Sequence, residues 1–140
     1  LGTGSAVLTI AAAKLWDRTV LATDIDPRSV EIAKENAAIN HVSGKIDAVE
    51  SDGFEHPDIA AAAPFDFIFA NILAGPLIDL APAMASHTER GARVMLVEEQ
   101  EEFGGSLQEA GVVAAYENEG FRRLNRLDHD TWPVLLFAKV

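Results

Sequence analysis

Apolar and polar positions along the chain alternate between two patterns, one typical of buried strands and the other of amphipathic helices. Short apolar runs predict strands at residues 19–23, 45–50, 65–70, 93–97, 121–127 and 132–140. Longer alanine-rich or amphipathic stretches predict helices at residues 5–15, 27–39, 76–87 and 107–119, with a short alanine turn at 59–63. The alternation predicts an α/β sheet, and the last two strands, joined at residues 128–130, predict an antiparallel hairpin.

The composition of the chain excludes some classes of function. The 140 residues suffice for one domain with a sizeable core, and no repeat or linker divides them. A formal net charge of -11 argues against binding to the phosphate backbone of a nucleic acid. The negative charge is explained either by solubility or by binding to a basic protein partner. Polar residues and prolines interrupt the most apolar stretch, residues 65–84, which excludes a membrane span. We therefore expect a cytoplasmic protein without direct nucleic-acid or membrane contacts.

Several kinds of catalytic site are absent from the sequence. There is no cysteine, which excludes disulfides, thiolate metal sites and a cysteine nucleophile. The histidines show no metal-ligand spacing, and we interpret all of them as surface residues: His41, His56, His87 and His129. No phosphate-binding P-loop or serine–histidine–aspartate set is recognisable, so we expect no metal.

The first residues form a glycine-rich turn, residues 1–6 (LGTGSA), and Asp24 ends a predicted strand about 20 residues later. Glycines allow a ligand to approach the backbone, and an acid at a strand end accepts hydrogen bonds from ribose hydroxyls. The pair predicts an adenine nucleoside site, although a tight strand-to-helix turn without a ligand is the alternative. Asp26 followed by Pro27 is typical of a helix cap, so we assign ribose binding to Asp24. Ile25 offers an apolar side chain to an adenine face.

Two further loops follow predicted strands. Residues 51–53 (SDG) lie where such a fold places a group that meets the adenine amine, and a simple Asp-Gly turn explains them equally well. Asn71 follows the central strand, at the edge where open α/β sheets bind ligands. Its amide oxygen can accept a hydrogen bond from an amine and orient the nitrogen lone pair. The alternative is an asparagine chosen for turn geometry.

The turn lacks the third glycine of a dinucleotide fingerprint, because position 7 is Val7. It resembles the G-x-G-x-G loop of class I S-adenosylmethionine-dependent methyltransferases. Together with this turn, other segments resemble the PrmA family, methyltransferases of large-subunit ribosomal protein eleven, over nearly the whole chain: residues 22–27 (ATDIDP), 51–54 (SDGF), 71–77 (NILAGPL), 79–82 (DLAP), 114–117 (AAYE), 120–121 and the strand of Trp132.

The resemblance implies a Rossmann-like three-layer α/β/α sandwich with a closing antiparallel hairpin. It also implies methylation of lysine and terminal amino groups on that ribosomal protein, with S-adenosylmethionine as cofactor. Asn71 would be the catalytic residue. The implied cofactor-binding residues are Gly2, Thr3, Gly4, Asp24, Ile25, Asp52 and Asn71.

The chain departs from the family pattern in three respects. Ala6 stands in place of the usual third glycine and is expected to crowd the loop slightly. Residues 97–99 (VEE) replace a usual Ser-Gly pair, and the segment 98–105 is expected to be an acidic surface loop. Most of the strand before the turn and a separate N-terminal recognition domain are missing, so we expect a catalytic-domain fragment with little activity alone.

Rival functions use the same residues. A small-molecule or other-protein N-methyltransferase would have the same cofactor site. A fragment that only binds a nucleoside or serves as an interaction module would need no catalytic residue. A nicotinamide oxidoreductase is disfavoured by Val7.

Overall fold

The computed structural model describes residues 1–99, 105–128 and 132–140. The chain divides into two compact units, Leu1–Ala61 and Ala62–Val140, and each has its own sheet. The elements up to the boundary are α1 (Val7–Leu15), β1 (Val20–Asp24), α2 (Pro27–Ile39), a 3-10 turn (Ser43–Lys45), β2 (Ile46–Glu50) and α3 (Pro57–Ala62). Those that follow are β3 (Phe65–Leu73), α4 (Ala74–Asp79), α5 (Ala81–Ser86), β4 (Thr88–Glu99), α6 (Gly105–Asn118), β5 (Phe121–Leu127) and β6 (Val134–Lys139).

In the first unit, β1 and β2 pair in parallel, and α1 and α2 pack against β1. The core consists mainly of alanines and β-branched residues: Ala6, Ala13, Ala22, Val30, Ala33, Ala37, Val42, Ile46 and Ala48. Small side chains let the helix backbones come close to the strand, because little volume separates them.

The second unit contains a four-stranded sheet in the order β3-β4-β6-β5. Strand β3 is parallel to β4, and β6 is antiparallel to both of its neighbours. The predicted closing hairpin is confirmed, although its tip at residues 129–131 lies outside the described residues. Side chains from the sheet and from the helices fill the core: Leu77, Met84, Val94, Leu96, Val112, Tyr116, Leu135 and Phe137.

Several predicted boundaries were wrong around β3 and β4. Residues 71–73 were expected in a loop, but they continue β3 and pair in register with residues 97–99 of β4. Glu98 and Glu99 therefore belong to a strand rather than to the predicted acidic loop. Gly105, the other end of that loop, begins α6, and residues 100–104 lie outside the described residues.

The predicted helix over residues 76–87 is two helices, α4 and α5, with Leu80 between them. Pro82 has no N–H to donate to the carbonyl of Ile78, and its ring would collide with that carbonyl in a continuous helix. The short alanine turn predicted at 59–63 is the end of helix α3. Within the described residues, no helix is long and apolar enough to cross a bilayer.

Tyr116 is fully buried in the second unit, with its ring 5.4 Å from that of Phe121 and 5.3 Å from that of Phe137. Its hydroxyl finds no hydrogen-bond partner among the described residues. Burial raises the pKa of this phenol, so the hydroxyl stays protonated.

We expect Tyr116→Phe to raise the free energy of unfolding by about 1 kcal/mol, because it removes a polar group that is buried without a partner. Chemical denaturation of both proteins measures the difference. A destabilised variant would mean that the hydroxyl is hydrogen-bonded, for example to a buried water.

The end of α2 is a left-handed cap. His41 has a φ of +58°, its N–H donates to the carbonyl of Ala38 at 3.1 Å, and the N–H of Val42 donates to the carbonyl of Ala37 at 2.9 Å. This pair of bonds is the Schellman pattern, in which glycine is the favoured left-handed residue.

We therefore expect His41→Gly to raise the free energy of unfolding by about 1 kcal/mol, because glycine adopts a positive φ without steric cost. Asn40→Gly is the matched control. Asn40 has a φ of -90°, so glycine there should only destabilise. Thermal denaturation compares the variants, and an unchanged or lower stability of His41→Gly would contradict the expectation.

Candidate nucleoside-binding site

The glycine turn is built from left-handed backbone. Gly2, Gly4 and Ala6 have φ values of 65°, 52° and 68°. A Cβ placed on Gly4 would meet no other atom within 4 Å, so glycine is required there by its backbone conformation and not by crowding. The open space beside Gly4 leaves the backbone accessible to a ligand. The turn thus fits the predicted role of Gly2 and Gly4.

Ala6, which stands where the family has a third glycine, places its side chain in the core. Its methyl group is fully buried and belongs to the hydrophobic core of the first unit. The cost of replacing glycine lies in the backbone, because a non-glycine residue at this φ is strained. The methyl group partly offsets that cost through its burial.

Two backbone donors tie the turn to the end of β1. The N–H of Thr3 donates to the carbonyl of Thr23 at 2.9 Å, and the N–H of Gly4 donates to Oδ2 of Asp24 at 2.8 Å. The hydroxyls of Thr3 and Thr9 share a hydrogen bond of 2.7 Å, which joins the turn to α1. The structure therefore brings Gly4 and Asp24, two of the predicted site residues, into direct contact.

Asp24 uses both carboxylate oxygens. Oδ1 accepts from the N–H of Asp26 at 3.0 Å, while Oδ2 accepts from Gly4. Each carboxylate oxygen can accept more than one hydrogen bond, so capacity remains for donors from a ligand. The half-buried carboxylate is therefore oriented by two backbone donors. A pre-oriented acceptor of this kind suits the vicinal hydroxyls of a ribose.

Asp26 caps helix α2, as the sequence predicts. Its carboxylate accepts from the N–H of Arg28 at 2.9 Å and from the Ser29 hydroxyl at 3.3 Å, and Pro27 begins α2. The predicted helix cap is confirmed. Ile25, between the two acids, is 65% exposed and leaves an apolar side chain beside Asp24 in the sequence.

The loop after β2 begins next to Asp24, because the N–H of Ser51 donates to the Asp24 carbonyl at 2.9 Å. The buried Ser51 hydroxyl donates to the carbonyl of Gly53 and accepts from the N–H of His56, at 3.1 and 3.2 Å. Gly53 has a φ of 54°, so the predicted Asp-Gly turn is present. Asp52 is exposed, and its carboxylate has no hydrogen bond to another described residue. That carboxylate is available to an amine.

Asn71 lies in the second unit, on β3, directly opposite Val97 of β4. Because it occupies a strand position, the alternative reading as a turn residue is wrong. Its side chain is exposed and makes no hydrogen bond to any part of the chain that the structure describes. The amide is therefore free to bind a group from outside.

Sequence reasoning missed two contributors to the first unit's site. Asn36 on α2 donates from Nδ2 to the carbonyl of Ser5 at 2.9 Å, and Ser51 orders the loop after β2. The contact of Asn36 has no local signal in the sequence, because its partner lies 31 positions away, whereas Ser51 bonds to residues two and five positions away. In the described ranges, no group of three histidine, aspartate or glutamate residues could hold a metal ion.

Comparison with known proteins agrees with this geometry. A family model described as ribosomal protein L11 methyltransferase (PrmA) matches residues 1–139. The curated ribosomal protein L11 methyltransferases of Mesorhizobium japonicum and Bradyrhizobium diazoefficiens are 48% and 47% identical over 96% and 100% of this chain. The alignments cover 45% and 46% of those proteins, so the chain spans about half the length of these relatives.

A solved structure points the same way. The crystal structure of a ribosomal protein L11 methylase from Lactobacillus delbrueckii subsp. bulgaricus matches with a TM-score of 0.85 and 33% identity. The match covers 99% of this chain and 66% of that one.

Proposed function

Because the chain belongs to the PrmA family of ribosomal protein L11 methyltransferases, we propose that it forms the cofactor-binding and catalytic part of such an enzyme. The reaction is methyl transfer from S-adenosylmethionine to amino groups of ribosomal protein L11, on lysine side chains and the terminal amine. A ribosomal protein substrate implies a cytoplasmic enzyme. The proposal requires no nucleic-acid contact, and the net charge of -11 disfavours one.

The observation that carries the proposal is the hydrogen bond between the N–H of Gly4 and the Asp24 carboxylate. It holds an open glycine backbone and the proposed ribose acceptor together. Ile25 then offers an apolar contact for the adenine ring, and the exposed Asp52 carboxylate offers an acceptor for its amine. This set of groups fits the adenosine part of S-adenosylmethionine, with Gly2 and Thr3 completing the turn.

When bound, S-adenosylmethionine supplies a methyl group that its sulfonium charge already activates. The protein then contributes mainly proximity and orientation. A lysine ammonium has no lone pair, so the amine must react in its neutral form. We assign to the exposed amide oxygen of Asn71 the hydrogen bond that orients this neutral amine.

The test is a methyl-transfer assay with the full-length protein that carries this chain. Purified ribosomal protein L11 is incubated with enzyme and S-adenosylmethionine, and mass spectrometry locates the added methyl groups. Mass increases of L11 at lysine or at the terminal amine are expected. An L11 that stays unmodified would contradict the proposed substrate and favour the rival N-methyltransferase function.

Asp24→Ala is expected to weaken S-adenosylmethionine binding by about 10- to 100-fold, because the change removes a charge-assisted bond to ribose and the acceptor that holds Gly4. Asp26→Ala is the matched control, since it removes the same charge two residues away. It should keep the affinity and lose about 1 kcal/mol of stability as a missing helix cap. Calorimetric titration of the folded proteins measures the affinity for S-adenosylmethionine. Equal affinities for Asp24→Ala and wild type would show that Asp24 does not bind the cofactor.

Asn71→Ala is expected to lower turnover by about 100-fold while changing the affinity for S-adenosylmethionine much less, because a bound nucleophile loses its alignment. Asn125→Ala provides the control, since Asn125 is also an exposed asparagine on a strand of the second unit. Steady-state rates and equilibrium titration are measured on full-length protein. Near-normal turnover of Asn71→Ala would leave Asn71 without a catalytic role.

A further inference from the structure

One side chain joins α2 to the glycine turn across 31 positions of the sequence. Nδ2 of Asn36 donates to the backbone carbonyl of Ser5 at 2.9 Å. Asn36 is half-buried and lies between Ala33 and Ala37, which are both buried in the core of the first unit. An asparagine side chain is short, so this bond forms only because small residues let α2 approach the turn closely.

The bond adds a second contact at the peptide group between Ser5 and Ala6, whose N–H donates to the carbonyl of Thr3 at 2.8 Å. The N–H groups of Thr3 and Gly4 are held by the end of β1, on one side of the turn. On the other side, Ala6 precedes α1 in a left-handed conformation and provides no side-chain cap. The carbonyl of Ser5 lies between these two parts, and Asn36 fixes it from α2.

The start of helix α2 is hydrogen-bonded to Asp24, the acid of the proposed site. It begins at Pro27, immediately after the Asp26 cap, and the N–H of Asp26 donates to the Asp24 carboxylate. Asn36 therefore couples the orientation of the helix that follows Asp24 to the backbone of the turn that Asp24 contacts. The glycine turn and the Asp24 carboxylate, which would both contact a nucleoside, are thus both hydrogen-bonded to α2 or its cap.

We propose that Asn36 is a positioning residue for cofactor binding, and that it acts through the carbonyl of Ser5. This inference rests on the proposed function. With the bond intact, the turn is ordered before the ligand arrives. Without it, binding must also order residues 2–6, and that entropic cost lowers affinity.

The test compares Asn36→Ala with Asn40→Ala in the full-length protein that carries this chain. Asn40 is a close control, because its Nδ2 also donates over 2.9 Å from α2, but to the carbonyl of Asn36 and not to the turn. Calorimetric titration uses S-adenosylhomocysteine, the demethylated product without a sulfonium charge. Asn36→Ala should bind about two- to tenfold more weakly than wild type, the range expected for one neutral hydrogen bond, and Asn40→Ala should bind as wild type does.

Asn36→Asp tests whether the hydrogen-bond donor Nδ2 or only the shape of the side chain matters. Aspartate has nearly the same size but cannot donate to a carbonyl when ionised, so its affinity should also fall. Retention of full affinity by this variant would mean that only the volume of Asn36 matters, which would overturn the proposal.

Amide hydrogen exchange of the ligand-free proteins provides a readout independent of binding. Asn36→Ala should accelerate exchange at Thr3 and Gly4, whereas Asn40→Ala should not. Unchanged exchange in Asn36→Ala, or faster exchange with undiminished affinity, would overturn the proposal. A wild-type chain that exchanges as expected but binds no S-adenosylhomocysteine would instead contradict the proposed function and, with it, any role of Asn36 in cofactor binding.

Discussion

The hydrogen bond from the Gly4 N–H to the Asp24 carboxylate is the contact on which the geometry of the proposed nucleoside site depends. It joins a turn that only left-handed backbone can form to an acid at the end of a buried strand. The second oxygen of Asp24 accepts from Asp26, so the acid also sets where α2 begins. One charged side chain thus orders the backbone on both sides of the position where a ribose is expected.

This arrangement requires small residues around it. Ala6, Ala33 and Ala37 are nearly or fully buried where α1, α2 and β1 pack together. Larger side chains at these positions would move α2 outward, and the short Asn36 side chain would no longer reach the Ser5 carbonyl. The alanine-rich composition of this part of the chain is therefore a structural requirement of the turn as well as a helix preference.

Much of the architecture could be predicted from the sequence because its signals are local. Alternating apolar runs predicted the order of strands and helices, β5 was placed at its observed bounds, and Asp26 followed by Pro27 predicted a cap that is confirmed. The family and the Rossmann-like α/β class predicted from short motifs are also confirmed. The predicted roles of Asp24, Ile25, Asp52 and Asn71 stay predictions.

Other features depend on tertiary structure. The strand position of Asn71 follows from pairing with Val97, which no local pattern reveals. Asn36 reaches Ser5 only after α2 has packed on the first unit. The separation of α4 from α5 is different, because it has a local signal: the missing N–H and the ring of Pro82 interrupt a continuous helix.

We propose that Asp24 and the glycine turn form one preformed nucleoside site. This proposal can be tested by nuclear magnetic resonance of the isotope-labelled full-length protein, titrated with S-adenosylhomocysteine. We expect amide shift changes concentrated at residues 2–6 and 24–26, with the Gly4 amide protected from exchange before and after addition. Saturable binding that leaves these amides unperturbed, or a Gly4 amide that exchanges freely in the ligand-free chain, would contradict it.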